Sequence, residues 1–534
     1  MTHIGESFLL RQVPLGGSPL SRAAQAGRVD PAWYPPRPVG RAGWSARAAE
    51  LAATFPDGRW YQALAPAFAA TGQARSRLER AAAGGLVVTT GQQPGLFGGP
   101  MYTWTKAMSA LAMADALEAS LGVPVAPVFW AATDDADWME ACSTAFGTSR
   151  GLLPLRLPGA ATEGRPMADV PLGEVDAVLA LLDQACGSAA HAEIRALVGR
   201  AYVPQATVGA AYVQLLRGLL EPCGIAVLDA AHATVREAAD PLLRRALRVA
   251  DPIHHALKVR QDAIEAAGFT PQVDVVEELS LVFHTTTQAG TEGGGVVRVR
   301  ERVPRTSASG VAREAVAGSL GANVLLRPVL EQALLPTACY LAGPGEYAYF
   351  AQVSAVAAAL DVATPLPIPR VAVEVVPSDV PARLEALGLV EADLAGPHGA
   401  EQVVARQRLS EMMADAIERL RVTVETQVGA LRESGPSDRP VVADEVVQGL
   451  ARDLEARIAR FERRVLAGVK RREDGLMQEV AALRAILRPQ GQSPERVLNL
   501  IPWLVRYGPA LLEAIAAVIR PHVRGLVDGD PPAA

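Results

Sequence analysis

Short apolar runs and longer stretches of helical spacing alternate from residue 84 to about residue 374. The runs 86–90, 125–130, 225–229 and 337–341 have strand length and few polar positions, which predicts strands buried on both sides. Shorter candidates lie at 281–284 and 296–299. Between them, 102–121, 212–220, 235–267 and 347–360 carry apolar residues three and four positions apart, the spacing of one helix face. This alternation predicts an α/β fold whose core is a parallel sheet with helices on both faces.

The period changes beyond residue 375. From Leu409, apolar residues fall at Met413, Ile417, Leu420, Val424, Val428 and Leu431, and after a proline turn at 435–440 the pattern resumes at Val447, Leu450, Leu454, Ile458, Phe461, Val465 and Val469. Charged residues fill the intervals. Two long helices with narrow apolar seams predict an antiparallel coiled coil; a narrow seam buries little and calls for further packing on the core or on a second subunit, and the hairpin favours a homodimer. Residues 492–519 read as helical again, with Trp503 and Tyr507 as anchors. Residues 1–83 open with clustered prolines (Pro31, Pro35, Pro36, Pro38) and read as irregular chain and then lead-in helices packing on the core. The expected domains are 1–83, 84–374 with an insertion at about 145–210, and 375–534.

Composition narrows the function classes. A net charge of −6 argues against a protein that binds nucleic acid by neutralising phosphates. No apolar run reaches the roughly 18 residues of a membrane span. The opening Met-Thr-His-Ile-Gly-Glu-Ser lacks a secretion-signal pattern. The four cysteines, Cys142, Cys186, Cys223 and Cys339, are widely spaced, which fits a reduced cytoplasmic protein with no disulfide frame and no zinc site.

In a doubly wound sheet, ligands bind beyond the carboxyl ends of the strands. Three segments fall there. The first is 84–106, a strand, a glycine turn and a helix start, where Gly91, Gly95, Gly98 and Gly99 let backbone approach an anion and Gln92 and Gln93 offer amide donors. A tight turn without a ligand explains the same glycines equally well. The second is Thr133-Asp134-Asp135-Ala136-Asp137, whose crowded carboxylates suit a substrate amine, or Mg²⁺ on a nucleotide, and also suit a plain helix N-cap. The third is Gly343-Pro-Gly345-Glu346-Tyr-Ala348, nominally a Gly-x-Gly-x-x-Ala dinucleotide fingerprint but late in the chain. Arg327 is a candidate clamp for a carboxylate or phosphate, and as readily a structural ion pair. Tyr102, Thr133, Glu346, Gln352 and His284 complete the candidate substrate contacts.

Several blocks together resemble one family. Thr90-Gly-Gln-Gln-Pro-Gly-Leu-Phe-Gly-Gly-Pro-Met-Tyr with Lys106-Ala, Pro127-Val-Phe-Trp-Ala with its acidic loop, Gly268-Phe-Thr-Pro-Gln-Val273, Asn323-Val-Leu-Leu-Arg-Pro, Leu335-Pro-Thr, Gly343-Pro-Gly-Glu-Tyr-Ala-Tyr-Phe-Ala-Gln352 and Pro494-Glu-Arg-Val-Leu-Asn499 with Tyr507-Gly508 are similar, in order, to the bacillithiol biosynthesis cysteine-adding enzymes. The resemblance implies a Rossmann-like core of the class I synthetase type, an inserted connecting segment and a helical coiled coil. It also implies a ligase that joins cysteine to the amine of glucosaminyl-malate, with ATP as the presumed activator. On that reading Gln92, Gln93, Gly91, Gly95, Gly98, Gly99, Gly343 and Gly345 hold the nucleotide, and Asp134, Asp135 and Asp137 serve the amine and its proton. The family places a histidine between two aspartates of the acidic loop, whereas this chain has Ala136. A nicotinamide-dependent oxidoreductase built on 343–348 and a non-catalytic coiled-coil scaffold are the alternatives.

Overall fold

In a computed structural model that describes residues 2–3, 7–159, 163–187, 190–289, 296–433 and 442–529, every strand expected from an apolar run is present. The strands that matter here are β1 (Leu86–Gln92), β2 (Val125–Ala131), β3 (Ala226–Asp229), β4 (Leu279–Ala289), β5 (Val296–Pro304), β6 (Leu320–Ala322), β7 (Thr337–Ala342) and β8 (Pro367–Pro369). The helices that matter here are α1 (Met101–Leu121), α2 (Ala233–Arg248), α3 (Ala250–Ala266), α4 (Arg327–Leu334), α5 (Pro344–Ala359), α6 (Glu411–Glu433), α7 (Asp444–Arg472) and α8 (Ala510–Asp528).

The core sheet is parallel, in the order β8-β7-β1-β2-β3. Its central strand β1, Leu-Val-Val-Thr-Thr-Gly-Gln, is buried up to its last residue. The β1–β2 register runs from Leu86 opposite Val125 to Gln92 opposite Ala131, so the two strands end level. Strand order reverses around β1, with β2 on one side and the late strand β7 on the other. That reversal opens a crevice at the carboxyl ends of β1, β2 and β7. β8 contains two prolines and escaped the apolar pattern. It lies at the sheet edge, where a missing N–H costs no ladder bond.

Helix α1 is buried nearly all round, because the sheet covers one side and α8 the other. A segment expected within a 375–534 helical domain therefore belongs with the core. The compact units are Met1–Phe146, Pro154–Val375 and Glu495–Ala534 in the first, and Gly147–Leu153 with Val376–Pro494 in the second. Arg370 and Glu495, both buried, fix the start of the returning segment through two hydrogen bonds of 2.8 and 2.7 Å. Residues 235–267, expected as one helix, break at Val249 into α2 and α3. The opening residues, expected as irregular, include the strand Phe8–Val13.

A separate antiparallel sheet, β6-β4-β5, stands in the first unit. Its strands extend well past the short candidates, and Phe283, Thr285, Arg300 and Arg302 share one face of the β4–β5 pair.

In the second unit α6 and α7 run antiparallel, as the ion pairs Arg421–Glu462 (3.0 Å) and Arg432–Asp444 (3.2 Å) require. Ile417, Val428, Val447 and Ile458 are buried in the seam. The turn expected at 435–440 lies outside the described residues.

Candidate active site

A cavity of about 370 Å³ fills the switch-point crevice. Gln92 and Gln93 at the end of β1, Asp134 and Asp135 after β2, and Glu346 on the first turn of α5 line it. Phe283, Arg300 and Arg302 from the antiparallel sheet, Asn323, Arg327 at the start of α4, and Tyr349 on α5 also line it. The Gln93 amide donates to Asp135 Oδ2 at 2.6 Å, so the glutamine turn and the acidic loop meet directly.

The acidic loop divides into two kinds of residue. Asp134 lies at the cavity wall, 3.8 Å from Arg300. Burial raises its pKa above the usual carboxylate value; Arg300 opposes that shift and Asp135 adds to it. Asp135 accepts from Gln93 and from the Ala136 N–H (2.6 Å), which fixes its rotamer. Asp137 does not reach the cavity. It caps the helix Trp138–Ala141 by accepting from the Glu140 N–H at 3.0 Å, the plainer of its two expected roles. Thr133 is also withdrawn: its buried hydroxyl bonds to the Asp229 carboxylate and accepts from the Ala231 N–H at 3.1 Å.

Beneath the cavity lies a buried charge network. Lys106 of α1 is 1% exposed and donates to Glu346 Oε2 at 2.7 Å. It also donates to the Gly91 carbonyl and, at 3.3 Å, to Gln92 Oε1. Glu346 further accepts from the Tyr340 hydroxyl at 2.5 Å and the Gly343 N–H at 2.7 Å. Burial pushes the Glu346 carboxyl up, but Lys106 and Arg327 outweigh it and hold it below the usual range. Arg327 lies 3.9 Å from Glu346 and donates to the Tyr349 hydroxyl at 3.3 Å. One turn along α4, Glu331 is buried with neither carboxyl oxygen hydrogen-bonded; the Thr89 hydroxyl lies beside it without hydrogen-bond geometry. Burial pushes this carboxyl up to about 7.

Several expected ligand contacts are structural instead. Gly95, Gly98 and Gly99 are buried behind the cavity wall. A Cβ on Gly98, whose φ is +85°, would meet the Trp104 ring at 2.5 Å, and one on Gly95 would meet Gly99 Cα at 2.6 Å. The Asn499 side chain donates to the carbonyls of Leu96, Phe97 and Gly99, each at 3.0 Å, and the Met101 N–H at the start of α1 is taken by the Leu498 carbonyl at 2.8 Å. The glycine turn is thus filled by the protein itself, and only its two glutamines face the cavity. Gly91 is glycine because a Cβ would meet the Trp130 carbonyl at 2.7 Å. Gly343 caps α5, its N–H held by Glu346, and neither it nor Gly345 lines the cavity, so the fingerprint's glycines serve the helix start while Glu346 alone of that segment reaches the crevice. Tyr102 lies one layer back, accepting from Gln92 at 3.2 Å and donating to Glu140 at 3.3 Å. Gln352 spends both ends of its amide on the Val273 backbone (3.1 and 2.7 Å), so it positions that wall residue. His284 pairs across to Glu301, on the β4–β5 face opposite Phe283 and Arg302.

Arg300, Arg302, Phe283 and Tyr349 were absent from the expected set. The available signal was Arg298-Val-Arg300-Glu-Arg302, a period-two row of arginines that starts in the 296–299 candidate and runs past its end.

Residues 60–371 match the family described as Bacillithiol biosynthesis BshC, N-terminal Rossmann-like domain, and residues 406–524 match Bacillithiol biosynthesis BshC, C-terminal coiled-coil domain. A relative from Solibacter usitatus is 30% identical over 434 residues, 80% of each chain. One from Koribacter versatilis is 29% identical over 467 residues, 85% of this chain and 86% of its own. One from Geobacillus thermodenitrificans is 26% identical over 464 residues, 82% of each. All three carry the name "Putative cysteine ligase BshC". With both of its units matched in sequence order, the chain belongs to the BshC family of bacillithiol biosynthesis.

Proposed function

We propose that this protein is a ligase that joins the carboxyl of cysteine to the amine of glucosaminyl-malate, with ATP as activator, in the last step of bacillithiol synthesis. The observation that carries the reading is the Gln93–Asp135 contact, which sets an amide turn and an acidic loop on one cavity at the strand ends. The names of the relatives support the cysteine half of it.

A carboxylate does not acylate an amine until its oxygen becomes a leaving group, and that activation is what ATP supplies. The cavity side chains fit its phosphates better than the glycine turn does: Gln93 lines the cavity and keeps a second amide hydrogen beyond the one it gives Asp135. Asp135, beside Gln93 on the cavity, is the acid placed to hold Mg²⁺ on the nucleotide. The acceptor amine must lose a proton as the carbon–nitrogen bond forms. Ala136 carries no proton acceptor and His284 faces away, so the base falls to Asp134, whose carboxylate Arg300 approaches without capping both oxygens. Purified protein given cysteine, glucosaminyl-malate and ATP is expected to form the thiol product with AMP or ADP. Absence of product across a panel of nucleotides contradicts the reading.

The coiled coil carries a second part of the proposal, a homodimer. Leu420, Leu431, Leu450 and Phe461 belong to the seam pattern yet remain 45%, 53%, 43% and 48% exposed on the hairpin, which leaves an apolar stripe for a second copy. The double variant Leu420→Glu, Phe461→Glu is expected to shift a dimer to a monomer in light scattering; a wild type that is already monomeric removes the dimer.

A further inference from the structure

Strand β5 carries three arginines on one face, and they are not equally compensated. Arg298 donates to Asp169, with one contact of 2.8 Å. Arg300 is near Asp134 at 3.8 Å and stacks on Phe283, its guanidinium 4.1 Å from the ring centre. Arg302 lines the same cavity, opposite Phe283 in the strand register, and has no carboxylate partner among the described residues. Its Nε and Nη2 both donate to the Ser280 carbonyl, at 3.1 and 2.5 Å, which aims the guanidinium and leaves Nη1 without a hydrogen-bond partner among the described residues. A partly buried guanidinium cannot shed its proton to relieve desolvation, so it is most stable when an anion meets it.

We propose that Arg302 is the recognition point for an anionic oxygen pair of a ligand in this cavity: a carboxylate of the acceptor or a phosphate of the activator. This inference rests on the ligase reading for which ligand brings the anion, but not for the anion site itself. It also moves the anion contact expected of Arg327 elsewhere, since Arg327 is already met by Glu346 and Tyr349.

The test is titration calorimetry of the intact protein with L-malate and, separately, with inorganic phosphate, on wild type, Arg302→Gln and Arg302→Lys, with circular dichroism reporting the fold. A charge-assisted contact of this kind is expected to make R302Q bind roughly ten- to hundred-fold more weakly, with R302K between the two. Selective loss of malate binding identifies the carboxylate, and selective loss of phosphate binding the phosphate. Neither anion binding wild type, or a folded R302Q that binds both as wild type does, overturns the inference. If glucosaminyl-malate is turned over, R302Q should raise its KM and largely spare kcat. Anion binding without turnover keeps this site and removes the ligase reading.

Discussion

Asp134→Asn is expected to slow product formation by roughly two to four orders of magnitude, the range for removing a positioned general base. Asparagine keeps the shape of the side chain and its contact with Arg300 but cannot take a proton. The pH profile gives an independent readout. Burial raises the Asp134 pKa, and the base works only when ionised, so kcat/KM should fall as pH drops through a value above the ordinary carboxylate range. The variant should lack that acid limb. Turnover near the wild-type rate with the same acid limb would exclude Asp134 as the base and return attention to Asp135.

Lys106→Met should be the most destabilising single change at the site, at about 3–5 kcal/mol in denaturant unfolding. The magnitude follows from what remains. Glu346 would keep its charge in a buried network with only the more distant Arg327 opposite it, and the Gly91 carbonyl and Gln92 amide would lose their donor. Removing both charges, as in Lys106→Met with Glu346→Gln, should recover a sizeable part of the loss, because no uncompensated charge is then left behind. A loss below about 1 kcal/mol for the single variant would mean the pair behaves like an exposed one.

The parallel core was legible because doubly buried strands leave apolar runs that no turn can hide, as in Val125–Ala131. The coiled-coil period was equally visible. At the site, sequence order pointed to the right strand ends, and Gln92, Gln93, Asp134, Asp135, Arg327 and Glu346 do meet there. What failed was the assignment of cause to glycine. Gly95, Gly98 and Gly99 look alike whether a ligand or the protein itself needs the space, and here the Gly99 backbone, Trp104 and Thr103 take it in turn. Asp137 and Gln352 show the same ambiguity for polar residues, since a helix cap or a backbone clamp needs the chemistry a ligand contact needs. The arginine wall was missed for a different reason. Arg300 and Arg302 alternate with Val299 and Glu301 beyond the end of the 296–299 candidate, and only the longer strand of the fold brings one of its faces to the cavity.

The central claim is that the reactants gather between Gln93, Asp135 and the arginine wall. A crystal structure with L-cysteine and a non-hydrolysable ATP analogue tests it most directly. Ligand density in that cavity, with the cysteine carboxyl facing the phosphates and Asp134 within reach of the acyl carbon's open side, is the predicted result. Both ligands bound elsewhere, with the cavity still holding only water, would contradict it.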